Sequence, residues 1–203
     1  MRTSRLNRQY RRGWALRLGG GLALATALAL VGCGDDYVTD SQASVLLVVR
    51  SIEDGGPVLS DIVSEENTIV NCDVLVEAEV VAKNPNLTPT RRDTVTVSSY
   101  HVKYTRSDGR DVQGLDVPYE ISGPLTQTID GGASVEFPVT MVRHQAKLEA
   151  PLKNVTGTDV VTMRAEVTLY GETLNGDGVS ASGSVQITFA DFGDGTDTCE
   201  TGG

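Results

Sequence analysis

The chain has 203 residues, of which 27 are acidic and 17 are basic, and its formal net charge at pH 7 is −10. Six of the basic residues lie within residues 1–17, so the rest of the chain is more acidic still. Because a nucleic-acid-binding surface needs a stripe of lysine and arginine, this balance argues against nucleic acid as a partner.

The amino-terminal segment has the pattern of a secretory signal peptide. A basic stretch without acidic residues precedes a short apolar run at 22–31. That run is shorter than the roughly 18 residues that a membrane-spanning helix needs. A buried core helix is the other interpretation, but it does not suit flanks that are basic on one side and acidic on the other. The basic residues are Arg2, Arg5, Arg8, Arg11, Arg12 and Arg17.

Residues Leu30-Val31-Gly32-Cys33 resemble the lipobox of bacterial lipoproteins. The resemblance implies that the Cys33 thiol is alkylated with diacylglycerol and that the chain is cut before it. Fatty acids such as palmitate would then anchor the protein in the cell envelope. Gly34 follows the cysteine, whereas an aspartate there commonly means inner-membrane retention, so the outer membrane is favoured over the inner membrane.

The expected organisation has four parts. These are a signal peptide at 1–32, a lipidated linker at 33–42, a folded domain at 43–190 and an acidic flexible tail at 191–203. Removing residues 1–32 takes away six of the 17 basic residues and none of the 27 acidic ones, which leaves a net charge of −16. It also removes Trp14, the one tryptophan of the chain.

Alternation of apolar and polar residues predicts β-strands with one buried face through most of the domain. The alternation is clearest at 72–82, where Val74, Val76 and Val80 share a face, and it recurs along the chain. A uniformly apolar strand precedes it, and residues 143–150 suggest a short helix ended by Pro151. The further strands are expected at 44–52, 99–105, 125–129, 133–141, 160–169 and 179–189.

Seven or so short strands separated by turns predict an all-β fold, a single immunoglobulin-like antiparallel β-sandwich. Asn175-Gly176-Asp177-Gly178 is one such turn, because glycine and asparagine supply the positive φ angles of tight hairpins. The Cys…Trp…Cys core pattern of immunoglobulin domains is missing, so a fibronectin-type topology is equally open. The domain resembles the small sandwich domains that many bacterial lipoproteins carry.

Successive antiparallel strands should bring the loops to two ends of the sandwich. Loops 83–93, 130–132 and 175–178 are expected on the membrane side, where Lys83, Arg91 and Arg92 suit an anionic surface. Loops 53–70, 107–115 and 143–158 are expected to face outward. Candidate contacts for a protein or envelope partner at that outward end are Arg143, His144 and Lys147.

The remaining two cysteines, Cys72 and Cys199, are an even number in an oxidising compartment, which favours a disulfide between them. The alternative is a buried Cys72 and a free thiol at Cys199. If they pair, the bridge closes a loop of over a hundred residues.

Catalytic and cofactor motifs are missing from the sequence. There is no G-x-S-x-G, no H-E-x-x-H and no phosphate-binding loop, so no catalytic residue, metal ligand or cofactor is assigned. The expectation is an envelope-anchored binding or structural module, neither an enzyme nor a cofactor carrier. The alternative is a periplasmic or surface hydrolase that uses His144 or an acidic pair. Calcium binding by the acidic tail is a further open alternative.

Overall fold

A computed structural model describes residues 42–62, 69–192 and 200–201, all of which belong to the unit Asp35–Gly203. Within these ranges the chain forms two β-sheets that pack face to face, so the predicted β-sandwich is confirmed. Seven strands are long and two are short. The strands are β1 (Val45–Ile52), β2 (Val58–Asp61), β3 (Cys72–Ala82), β4 (Val95–Arg106), β5 (Ile121–Ile129), β6 (Ser134–Val142), β7 (Val160–Thr173), β8 (Gly178–Ala190) and β9 (Glu200–Thr201).

The two sheets have different sizes. The smaller sheet has the order β1-β3-β6, and the larger sheet has the order β5-β4-β7-β8-β2-β9. Because β5 pairs with β4 and not with a strand of the smaller sheet, the arrangement of the long strands is three against four. The constant-type immunoglobulin arrangement would instead place β5 beside β6 in the smaller sheet.

The alternation in the sequence produces the two faces of each strand. In β3 the side chains of Cys72, Val74, Val76, Ala78 and Val80 are all buried, while Asp73 and Leu75 between them are exposed. The same holds for β4, where Tyr100, Val102 and Tyr104 are buried. Burial of one face of each sheet against the other supplies the hydrophobic core.

Strand β2 was not expected, and it changes the account of residues 53–70. Instead of one long outward loop, the chain makes a 3₁₀ turn at Glu53–Gly55 and then pairs Val58–Asp61 in parallel with β8. Strand β2 keeps the direction of β1 but belongs to the larger sheet, where it pairs in parallel with β8. Residues 63–68 of the expected loop lie outside the described residues.

A buried hydrogen bond joins the two sheets through the core. The hydroxyl of Tyr104, on β4, donates to the main-chain carbonyl of Met141, on β6. The predicted short helix follows β6 and is a single turn, α1 (His144–Lys147), followed by a 3₁₀ turn at Leu152–Asn154.

Candidate functional site

The connecting loops lie at two opposite ends of the sandwich, as the alternation of strand direction predicts. One end, called here the upper end, carries the loops 107–120 and 143–159. The opposite end, called the lower end, carries the loops 83–94, 130–133 and 174–177.

The strand registers establish this grouping. At the upper end Val160, the first residue of β7, pairs with Ala190, the last residue of β8. At the lower end the first residue of β1, Val45, pairs with Ala82, the last residue of β3. The amino-terminal part of the domain therefore begins at the lower end, and the upper end is the part of the sandwich farthest from it.

The upper-end loop 107–120 is held in shape by ion pairs and by an aromatic ring. The guanidinium of Arg110 lies 2.8 Å from the Asp108 carboxylate and 3.1 Å from that of Asp116. The Tyr119 ring lies over Gly114, where a Cβ would stand 2.5 Å from the tyrosine hydroxyl. Gly114 also has a φ of +73°, which favours glycine. The loop consequently presents a defined surface.

Several large apolar side chains are exposed at this end. Their exposed fractions range from 49% to 70%, whereas most of the apolar residues on the strands are buried in the core. A group of exposed apolar residues on one surface is typical of a protein-binding site, whereas isolated ones are ordinary. Sequence reasoning missed them; the available signal was apolar residues inside a loop. They are Val112, Leu115, Tyr119, Leu148 and Val160.

Arg143 stands where the sequence places it, at the upper end directly after β6. Its Nη2 donates to the carbonyl of Ser122 at 2.6 Å, which fixes the guanidinium between the two sheets. The same side chain lines a cleft of about 160 Å³ between the loop 107–120 and α1. The other lining residues are Pro118, Tyr119, Glu120, Ile121, Gln145, Ala146, Glu149 and Ala150.

His144 is exposed and begins α1. Its backbone N–H donates to Oδ1 of Asn71 at 2.8 Å, and its ring Nδ1 lies 3.3 Å from the same oxygen. Asn71 has no nucleophilic or acidic group, so this contact holds the helix against β3 and does not form a catalytic pair. The ring Nε2 of the second histidine, His101, lies 3.2 Å from a carboxylate oxygen of Glu120 on the outer face of β4.

Lys147 does not face a partner, and the sequence prediction is wrong on this point. The residue is only 4% exposed, and its Nζ donates to the main-chain carbonyl of Asp61 at 2.5 Å. Burial lowers the pKa of Lys147, against a smaller opposing effect of the Asp61 charge. The side chain therefore ties α1 to the end of β2.

Cys72 is buried at the upper-end start of β3 and is disulfide-bonded. Its partner lies outside the described residues, as do Cys33 and Cys199. The residue after Cys199, Glu200, pairs with Leu59 on β2, and β2 ends beside Ala190 at the upper end. The chain that leads back to Cys33 begins at the lower end. Of the two other cysteines, Cys199 is therefore the one whose neighbour in the chain, Glu200, lies toward the upper end, where Cys72 is.

The described residues also bear on metal and membrane sites. Within the ranges 42–62, 69–192 and 200–201, histidine, cysteine and acidic side chains form no group of three that could hold a metal ion. Most of the acidic tail, for which calcium binding is the open alternative, lies outside those ranges, including Asp194 and Asp197. No helix in the same ranges has both the length and the apolar character needed to cross a bilayer.

Comparison with known proteins gives neither a family model nor a curated protein that matches the chain. One similar solved structure is the solution structure of a protein described as late embryogenesis abundant (LEA). It is 11% identical in sequence, the match covers 74% of each chain, and the TM-score is 0.40.

Proposed function

We propose that this protein is a bacterial lipoprotein of the cell envelope whose β-sandwich binds a protein partner through its upper end. The observation that carries the proposal is the set of exposed apolar side chains on the upper-end loops, of which Tyr119 lines the Arg143 cleft. They lie at the end of the domain remote from the amino-terminal segment. The proposed role is binding or structural and involves no catalysis.

The anchor is the lipidated Cys33, with the outer membrane favoured over the inner membrane because Gly34 follows the cysteine. The linker between Cys33 and the domain, residues 34–42, spans at most roughly 30 Å when extended. Since the domain begins at the lower end, the linker holds that end near the membrane. The upper end is then the surface that a partner can reach.

The chemistry of the upper end defines the partner class. Leu115 and Tyr119 offer apolar area, and Tyr119 is a residue type enriched in the energetically important part of interfaces. The Arg143 guanidinium adds one positive group to a domain that is strongly acidic overall. A complementary partner is a protein surface with apolar side chains and a carboxylate, since a strongly acidic surface would be repelled by the rest of the domain.

Site-specific photo-crosslinking in intact cells tests the binding surface. A photoreactive amino acid at Leu115 should give a discrete protein adduct. The matched control is the same probe at Tyr170, an exposed apolar residue on the outer face of β7. Equal adducts at both positions, or no adduct at Leu115, would contradict the upper-end proposal.

Mass spectrometry of the mature amino-terminal peptide tests the anchor separately. We expect an acylated Cys33 as the first residue. A Cys33→Ser variant should lose both the lipid and its membrane fractionation. An unmodified chain that still carries residues 1–32 would refute the lipoprotein assignment.

A further inference from the structure

Two leucines at the lower end are exposed in a way that the core does not explain. Leu87 and Leu174 have exposed fractions of 64% and 65%. Leu87 lies on the loop 83–94, and Leu174 lies on the hairpin loop 174–177. Both loops stand at the tip of the sandwich, so the two side chains extend from the same end of the domain.

The two loops are in contact with each other. Pro89 and Arg91, from the first loop, line the same shallow depression as Leu174. The main-chain N–H of Leu174 donates to the carbonyl of Thr94 at 3.2 Å, which ties the hairpin to the end of the first loop. Leu174 therefore shares a surface with the loop that carries Leu87.

The charges at this surface differ in their availability. Arg91 and Arg92 are exposed, and no ion pair among the described residues includes either of them. The acidic side chains of the lower loops keep their charge, but their oxygens accept hydrogen bonds from neutral groups within the domain. Asp93 accepts from the Thr90 N–H at 2.6 Å and from the Ser44 hydroxyl, Asp130 accepts from Thr94 at 3.0 Å, and Asp177 accepts from Thr173 at 3.5 Å.

Exposed leucines beside unpaired arginines suit the boundary between lipid headgroups and acyl chains. Apolar side chains bury their area at that boundary, and guanidinium groups bind the phosphates of anionic lipids. The chain outside the described residues supports this occupant, because Gln42 at the lower end is only nine residues from Cys33. Any membrane that holds Cys33 lies within reach of Leu87 and Leu174.

We propose that the lower end lies on the membrane surface. Leu87 and Leu174 enter the interfacial region, and Arg91 and Arg92 contact anionic headgroup phosphates. The contact would fix the orientation of the domain, because a lipid attached at the single residue Cys33 anchors the domain without orienting it. This inference rests on the proposed anchor and adds a reason for the upper end to face away from the membrane.

Tryptophan fluorescence can test the contact with little background. In a Trp14→Phe chain, the variants Leu87→Trp, Leu174→Trp and Leu115→Trp each carry one tryptophan, and Leu115 provides the upper-end control. The lipidated protein is reconstituted in vesicles of phosphatidylethanolamine and phosphatidylglycerol with brominated acyl chains. We expect the emission at 87 and 174 to fall severalfold and the emission at 115 to stay unchanged.

A separate variant tests the contact between the arginines and the lipid headgroups. Replacing Arg91 and Arg92 together by glutamine should reduce the quenching at 87 and 174 when phosphatidylglycerol is present. Absent quenching at 87 and 174, or equal quenching at all three positions, overturns the inference. The inference is also overturned if the emission of the Leu87→Trp variant shifts with protein concentration in detergent and is not quenched by brominated lipid. That result would assign the lower end to contact between two copies of the chain.

The anchor and the contact can fail separately. A lipidated Cys33 in the mass spectrum together with unquenched tryptophans would leave the anchor standing and reject the lower-end contact. If the spectrum shows no lipid, the same variants are mixed with the vesicles. Quenching confined to 87 and 174 would then support lipid contact and reject the anchor.

Discussion

Replacing Tyr104 by phenylalanine tests how the two sheets are joined. Tyr104 is 1% exposed, and its hydroxyl is the donor of the hydrogen bond to the Met141 carbonyl across the core. Phenylalanine keeps the ring and its packing but leaves that buried carbonyl without its donor. Loss of a buried hydrogen bond in this way costs about 1–3 kcal/mol, so the variant should be less stable by that amount at pH 7.

The pH dependence makes the test specific. Burial raises the pKa of Tyr104 well above the ordinary value near 10, and the neighbouring Arg143 charge opposes this only in part. Above pH 10 the unfolded chain releases this proton while the folded chain keeps it. Until the folded chain also releases the proton, Tyr104 therefore lowers the folding equilibrium constant of the wild type by about a factor of ten for each further pH unit, and the phenylalanine variant lacks this contribution.

Urea unfolding at pH 7 and at pH 11 measures both effects. The folding equilibrium constant of the wild type relative to that of Tyr104→Phe should fall by about tenfold between the two pH values. Tyr170→Phe is the control, because that ring is exposed and its replacement should leave both values nearly unchanged. A difference that stays constant from pH 7 to pH 11 would refute the account of a buried, neutral tyrosine joining the sheets.

Two further predictions concern packing and the disulfide. A Cβ at Gly123 would stand 2.4 Å from the ring of Tyr100, its cross-strand neighbour, so Gly123→Ala should lower stability by about 1–3 kcal/mol. The control is Gly178→Ala, which should change stability little because nothing lies within 4 Å of the new Cβ. Thermal unfolding of the two variants measures both effects. Cys199→Ser should release a titratable thiol at Cys72 in denatured, unreduced protein and lower stability by at most about 4–5 kcal/mol, and a variant without a new thiol would assign the bridge to another cysteine.

The faces of the strands could be predicted from the sequence alone. In β3 and β7 the side chains alternate between the two sides of the sheet, so a run such as Val74, Val76 and Val80 has to share one buried face. The turns between the long strands follow from local chemistry in the same way. Alternating strand direction then assigns the loops to two ends without knowledge of the sheets.

The pairing of the strands was decided only by the tertiary structure. Pro124 in β5 and Pro138 in β6 are compatible with edge strands, but the pattern of a strand does not identify its neighbour. Whether β5 joins the larger or the smaller sheet depends on packing across the whole core. The four residues of β2 are too few to show an alternation, and they pair with β8, more than a hundred residues away in the chain.

The residues of the candidate site also differ in whether the sequence could predict their position. Arg143 and His144 could be placed at the upper end because they follow a strand whose direction was predictable. The burial of Lys147 could not be predicted, since a one-turn helix has no periodicity and its orientation depends on contact with Asp61 from another strand. The sequence determines local conformation and which side of a strand is apolar, whereas exposure in the loops depends on which distant segments pack against them.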